Sequence, residues 1–222
     1  MNTNEPNNMS IKNLYFDIET GAAPDAEKFK PEFEAPGNIK DPVKIAAAIQ
    51  DKENEWRDRL ALSALTGQVL FCGFHDDERF WYGEVNAKTT EADLITAVFA
   101  TLTAQMGDAV HGRVIGHNIK GFDLPFLIRR AWKLGVQVPL CLSLTNGRYW
   151  DSKIVDTVEL WGAGKYQDYV SLDNLSKFLG VGAKNGKGGD FAALFKSDHD
   201  KAIEYAANDL ELTRLCAKKI LS

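Results

Sequence analysis

LYFDIET, residues 14–20, is the stretch from which this chain is best read. Asp17 and Glu19 are two apart, so on a strand both side chains leave one face while Leu14, Phe16 and Ile18 leave the other. The pattern predicts a half-buried strand whose apolar side enters the core. It also places two carboxylates together at the strand's end, where they can share one cation. A DxE pair on a solvated strand face is the plain alternative, but it would have to account for two further acidic motifs.

The second motif is IGHNIKGFDLPFL, residues 115–127. A short buried strand at 114–116 is followed by a loop, 117–121, and then by an apolar segment from Phe122. Pro125 suits the first turn of a helix, where its missing N–H leaves nothing unpaired. Asp123 therefore falls at a strand-to-helix junction, as a helix cap or as a metal ligand. The third motif, YAANDLELT at 205–213, sits in a helix predicted to begin near Asp198. Tyr205 and Asp209 are four apart and share one helical face. Ile203, Ala207, Leu210 and Leu215 are expected to form the buried stripe of that helix. Four carboxylates without a neighbouring histidine or cysteine ligand suit hard divalent cations, which favour oxygen.

Taken together, these residues resemble the DEDD superfamily of 3′ to 5′ exonucleases, whose fold is RNase H-like. The likeness is closest to the proofreading domains of family B DNA polymerases and to stand-alone bacterial and phage relatives. DIET resembles the first motif of that superfamily, HNIKGFDLPFL the second, and Tyr205 with Asp209 the YxxxD form of the third. A histidine-type member would carry His five residues before the last aspartate, where this chain has Glu204, so the resemblance implies the tyrosine (DEDDy) subclass. It implies an α/β fold with a central mixed sheet flanked by helices. It further implies two divalent cations, Mg2+ or Mn2+, held by Asp17, Glu19, Asp123 and Asp209, with Asp17 bridging them and Tyr205 orienting the attacking water. Thr20, Asn118 and Phe122 would engage the 3′ end.

The implied activity is metal-dependent hydrolysis at the 3′ end of DNA, with replication or repair proteins as partners. Two other readings stay open at this stage. One is an RNA-trimming, oligoribonuclease-like enzyme; the other is a noncatalytic nucleic-acid-binding or replisome-docking module. The complete set of acids speaks against the latter.

Composition narrows the remaining classes. The 222 residues carry a hydrophobic fraction of 45%, ordinary for a globular chain, and a formal charge of −5. That balance argues against broad electrostatic coating of duplex nucleic acid, although the proposed site supplies part of the acidic excess. Cys72, Cys141 and Cys216 form neither a CxxC pair nor a disulfide framework. No apolar run is long enough to span a bilayer, and MNTNEPNNMS lacks the apolar region of a secretory signal. A cytoplasmic protein without membrane partners is expected.

Residues 1–10 are expected to be a flexible tail, and 11–222 one exonuclease domain with a helical insertion at about 22–66. Within that insertion Asp41 and Pro42 read as N-cap and first helical position. The helix is expected to run to about Leu62, with Ile45, Ile49, Trp56 and Leu60 on one stripe. VLFCGFH and RFWYGEV read as paired strands, 90–106 as a helix with Leu94, Val98 and Leu102 inward, and 171–179 as a helix capped by Ser171. Asp156 is expected to play a structural part. GVGAKNGKGGD, 180–190, departs from a phosphate-binding GxxxxGK[ST] loop at Val181 and Gly188. It reads as a surface loop whose Lys184 and Lys187 could meet phosphate. His117 reads as a packed or surface histidine.

Overall fold

The computed structural model describes residues 12–107, 112–142, 153–165, 168–186, 189 and 191–222. The expected 1–10 tail and Lys187 lie outside the described residues. Five strands form one mixed sheet in the order β3-β2-β1-β4-β5. They are β1 (Lys12–Ala22), β2 (Gly67–His75), β3 (Phe80–Glu84), β4 (Gly112–Gly116) and β5 (Ile154–Asp156). β1 pairs antiparallel with β2 and parallel with β4. The chain leaves β1 toward β2 and β3, crosses over through α2 (Glu91–Gly107), and continues from β4 toward β5. The order therefore reverses between β1 and β4. In open α/β sheets ligands lodge outside the carboxyl ends of strands at such a switch point.

β1 is not the half-buried strand that its alternation predicts. Leu14, Phe16 and Ile18 enter a core with Leu94, Val98, Leu102, Leu124 and Leu127, supplied by α2 and α3 (Asp123–Leu134). Tyr15, on the other face, is fully buried against Ile115, Leu210 and Ala217. A central strand flanked on both edges has helices on both faces, so its polar positions face a helix instead of water. That helix is α7 (His199–Leu221). The 90–106 helix has the expected inward residues: Leu94, Val98 and Leu102 are all buried.

α3 is fixed to the sheet by a buried ion pair. Arg130 donates from Nε to Glu91 Oε1 at 2.8 Å and from Nη2 to Glu91 Oε2 at 2.6 Å. Glu91 Oε1 also accepts from Val69 N–H at 2.8 Å, and Arg130 Nη1 donates to Ala64 O. Removing either charge would strand the other in the interior, at a cost of about 3–5 kcal/mol. The pair ties α2, α3 and the start of β2 together, and so holds the first residue of α3, Asp123, in place.

The insertion folds as α1 (Pro42–Asp58) after a short 3-10 turn at Ala26–Phe29. Asp41 caps α1 by accepting from Val43 N–H at 2.9 Å. The helix ends four residues before the expected Leu62, and a separate 3-10 turn covers Leu60–Leu62. None of its residues is buried. Ile45, Ile49 and Trp56 are only partly covered, and Leu60, beyond the helix, is the stripe residue that reaches the interior. Ion pairs of Lys30 and Arg57 with Glu53 hold the excursion together.

Candidate active site

The acids arrive from three elements. Asp17 and Glu19 stand on the α7 face of β1, at its carboxyl half. The β1–β2 register slips between Glu19 and Thr20: Glu19 pairs with Phe71 but Thr20 with Val69. Leu70 is the extra residue, a β-bulge of the kind that re-aims side chains beside functional sites. It sends both Leu70 and Phe71 toward Phe191 and Tyr205.

Asp123 is the first residue of α3, whose cap position is Phe122 without a side-chain cap bond. Its carboxylate does not cap its own helix. Asp123 Oδ1 instead accepts from Ile18 N–H at 3.0 Å, across 105 residues. The last β1–β4 pairing is Tyr15 with Ile115. Beyond it the strands part, and Asp123 takes up the N–H of Ile18 in the gap. This draws the second motif onto the strand that carries the first.

Asp209 and Tyr205 come from α7, which begins as expected: Asp198 accepts from Lys201 N–H. The buried stripe is rotated from the expected one. It runs through Ala202, Tyr205, Ala206, Asp209, Leu210, Leu212, Thr213, Cys216 and Ala217, while Ile203, Ala207 and Leu215 are only partly buried. Tyr205 and Asp209 thus occupy the innermost line of the helix. Hydrophobicity alone points slightly off that line because two of its positions are polar.

The four carboxylates repel one another in a poorly hydrated setting. Burial, then the charge of Asp209, pushes Asp17 up to about 7. Glu19 is held well above the usual carboxylate range by burial and by Asp17 and Asp209, and Asp123 by burial and Asp17. Asp209 is raised by burial against the opposing pull of Lys184. Two buried atoms here make no well-aligned hydrogen bond, Asp209 Oδ1 and Tyr205 Oη, although the tyrosine hydroxyl and this carboxylate lie close enough to interact. The Tyr205 hydroxyl is near enough to feel Asp209, and burial with that charge raises its pKa above the ordinary value of 10.

Lys184 answers part of this negative charge. Its ammonium pairs with Asp209 Oδ2 and lies 5.1 Å from the Tyr205 ring centroid. Its backbone N–H donates to Asp173 Oδ1 at 3.0 Å, and Asp173 belongs to α5 (Leu172–Leu179), capped as expected by Ser171. Gly186 lies over Tyr205, where a Cβ would come within 3.0 Å of Cδ2. The described part of the 180–190 segment is a surface loop, as expected, with Lys184 and Gly186 against the site. Its glycines were legible as a flexible stretch, but nothing in the local sequence shows that Lys184 meets Asp209.

The donor set of four carboxylates and a phenol is all oxygen, as a hard divalent cation requires. A buried Asp209 Oδ1 without a well-aligned donor, beside like charges, fits such an ion. Among the described residues no three His, Cys, Asp or Glu side chains already form a ligand group as placed. Lys184 holds one oxygen of Asp209, and Ile18 holds one of Asp123.

Of the residues expected at the 3′ end, Asn118 and Phe122 precede Asp123 in the chain, and Thr20 follows Glu19 on β1. Asn118 takes a left-handed backbone, φ 61°, and a Cβ on Gly121 would fall 2.3 Å from its Oδ1. Gly121 thus leaves room for the Asn118 amide. Phe122 is partly buried, with its ring 5.4 Å from that of Phe126. Thr20 donates from Oγ1 to Ala61 O at 2.7 Å; its oxygen keeps lone pairs for a ligand. His117 lies between Thr157 Oγ1, 2.8 Å from Nδ1, and Val170 O, 3.0 Å from Nε2. The carbonyl requires a proton on Nε2, and burial lowers the ring's pKa to about 4. It is a neutral packed histidine, in line with the sequence reading.

Asp156 is the brace of the second motif. Its Oδ1 accepts from Asn118 N–H and Val158 N–H, each at 2.9 Å, and its Oδ2 from Lys120 N–H at 3.0 Å. It caps α4 (Thr157–Gly162) and fixes the loop leading to Asp123 at once. This is the structural part expected of it.

Among solved structures, the chain is similar to the family B DNA polymerase from the hyperthermophilic archaeon Pyrobaculum calidifontis, with a TM-score of 0.61 at 17% identity. The match covers 95% of this chain but 24% of the polymerase. It shows the expected α/β, RNase H-like architecture. No curated protein matches the chain. Residues 66–215 match the model of a family described as predicted 3′-5′ exonucleases related to the exonuclease domain of PolB. That segment contains the second and third motifs, and β1 joins them through the Asp123–Ile18 hydrogen bond. The chain belongs to this family of predicted PolB-like 3′-5′ exonucleases.

Proposed function

We propose that the protein is a metal-dependent exonuclease of the tyrosine subclass that removes nucleotides from the 3′ end of DNA. What supports this reading is that β1, α3 and α7 bring Asp17, Glu19, Asp123 and Asp209 close enough to raise one another's pKa, with Asp123 bonded to the Ile18 N–H that lies between Asp17 and Glu19, in a chain whose residues 66–215 match a family of predicted PolB-like exonucleases. Such a group is costly to the fold unless a cation answers it. Two Mg2+ or Mn2+ ions would supply water activation and stabilisation of the leaving oxygen.

Asp17, Glu19, Asp123 and Asp209 would hold these ions. Tyr205 keeps its proton at neutral pH, since its pKa is raised, so it acts as a hydrogen-bonding group that orients water and not as a base. Phe122 and Asn118 engage the terminal nucleotides, and Thr20 the end itself. Water adds to phosphorus, the bond to the 3′ oxygen of the preceding sugar breaks, and a nucleoside 5′-monophosphate leaves.

The test uses DNA and RNA strands of equal sequence, labelled at either end. A 5′-labelled DNA strand is expected to shorten to a ladder, and a 3′-labelled one to release labelled mononucleotide at once. Faster shortening of RNA would assign the enzyme to RNA trimming. Cleavage of circular single strands at a comparable rate would overturn the exonuclease reading.

A further inference from the structure

A cavity of about 560 Å3 opens beside the second motif, within the size range of small-ligand sites. It shares Asn118 and Gly121 with the loop that ends at Asp123, and Asp156 forms part of its wall. Its outer wall carries Tyr169, which is 62% exposed, together with Lys165 and Asp168. Left-handed backbone occurs on two sides of it, at Asn118 (φ 61°) and at Ala163–Gly164 (φ 47° and 89°). At Ala163 it is the C-cap of α4, and asparagine is among the residues that adopt it readily.

The chemistry of the wall is mixed. Lys165 and Asp168 both line it, and Lys120 is paired with Glu159 at 2.6 Å. A phosphate-only site would be more positive. A nucleobase, which presents donors and acceptors on its edge and an aromatic face, fits an exposed tyrosine among amide, ammonium and carboxylate groups. Two other cavities, at Phe29 and Trp56 and at Thr96 and Pro139, share no residue with the acids or their loops.

We infer that this cavity receives a base of the substrate strand on the 5′ side of the scissile bond, stacked on Tyr169, with Lys165 against an adjoining phosphate. The inference rests on the exonuclease reading and extends it. A strand whose 3′ end meets the acids must continue along the protein, and the Asn118–Gly121 loop is common to both places. Anchoring an upstream base would make the enzyme prefer strands over isolated terminal esters.

The experiment compares a tetrathymidylate with thymidine 5′-(p-nitrophenyl phosphate), which carries a phosphodiester but no upstream base. The ratio of kcat/KM for the two substrates is measured in wild type, Tyr169→Ala and Tyr169→Phe. Base stacking on an aromatic side chain is lost in the alanine variant, so the ratio is expected to fall about 5- to 100-fold, through KM, and to recover in Tyr169→Phe. A ratio unchanged in Tyr169→Ala would overturn the inference while leaving the exonuclease reading intact. So would a ratio that falls equally in Tyr169→Phe. A wild-type protein that cleaves neither substrate would overturn both.

Discussion

Asp17→Asn is expected to lose nearly all nuclease turnover while making the metal-free protein more stable at neutral pH. The loss follows from its part in holding the cations: stabilisation of several kcal/mol corresponds to about 1,000-fold or more in rate. The gain follows from linkage. Asp17 has an ordinary pKa of 3.8 and a folded value of about 7. A raised folded pKa contributes stability that is present below pH about 4 and is lost as the pH rises to about 7. The asparagine variant has no such loss. Its thermal midpoint at pH 7 should exceed that of the metal-free wild type, and the difference should vanish near pH 4. Divalent cation should raise the wild-type midpoint more than the variant's, and less at pH 5 than at pH 8, because binding must displace protons. An Asp17→Asn protein with wild-type turnover would remove Asp17 from the site.

Asp156→Ala is expected to be damaging in the opposite sense, through both fold and activity. The substitution leaves the N–H groups of Asn118, Lys120 and Val158 without their acceptor. Three bonds to one buried carboxylate, shared between a loop and a helix cap, are worth about 2–4 kcal/mol together. Thermal denaturation should show a midpoint lower by about 5–15 °C. Turnover should fall even at temperatures where the variant is folded, since the same loop sets the start of α3 and the position of Asp123. A variant as stable and as active as wild type would show that the loop holds its shape without this brace.

The two aspartates also show what the sequence makes legible. Spacing placed Asp17 and Glu19 on one strand face and Tyr205 and Asp209 on one helix face, because period two and period 3.6 are local geometry. Spacing could not say that the Asp17 face is covered. That depends on β1 becoming the central strand, which is decided by partners 50 and 100 residues away. Asp123 illustrates the same limit. Locally it could cap a helix, and only the separation of β1 from β4 reveals that its partner is Ile18 N–H.

α1 is less buried than its apolar stripe predicts. The capping pair Asp41–Pro42 fixed where α1 begins, but a stripe of Ile45, Ile49 and Trp56 does not bury itself without a surface to meet, and α1 has no buried residue. Lys184 lay in a glycine-rich stretch with no periodicity. Its contact with Asp209 arises because Asp173 holds its backbone and Gly186 admits Tyr205, and both are tertiary facts.

If the four acids work by holding divalent cations, chelation abolishes the activity. A 5′-labelled single-stranded DNA, incubated with the protein and Mg2+ or Mn2+ and resolved by length, is expected to shorten nucleotide by nucleotide from its 3′ end. Excess chelator should stop the reaction, and added cation should restore it. Shortening at full rate in excess chelator would contradict the account.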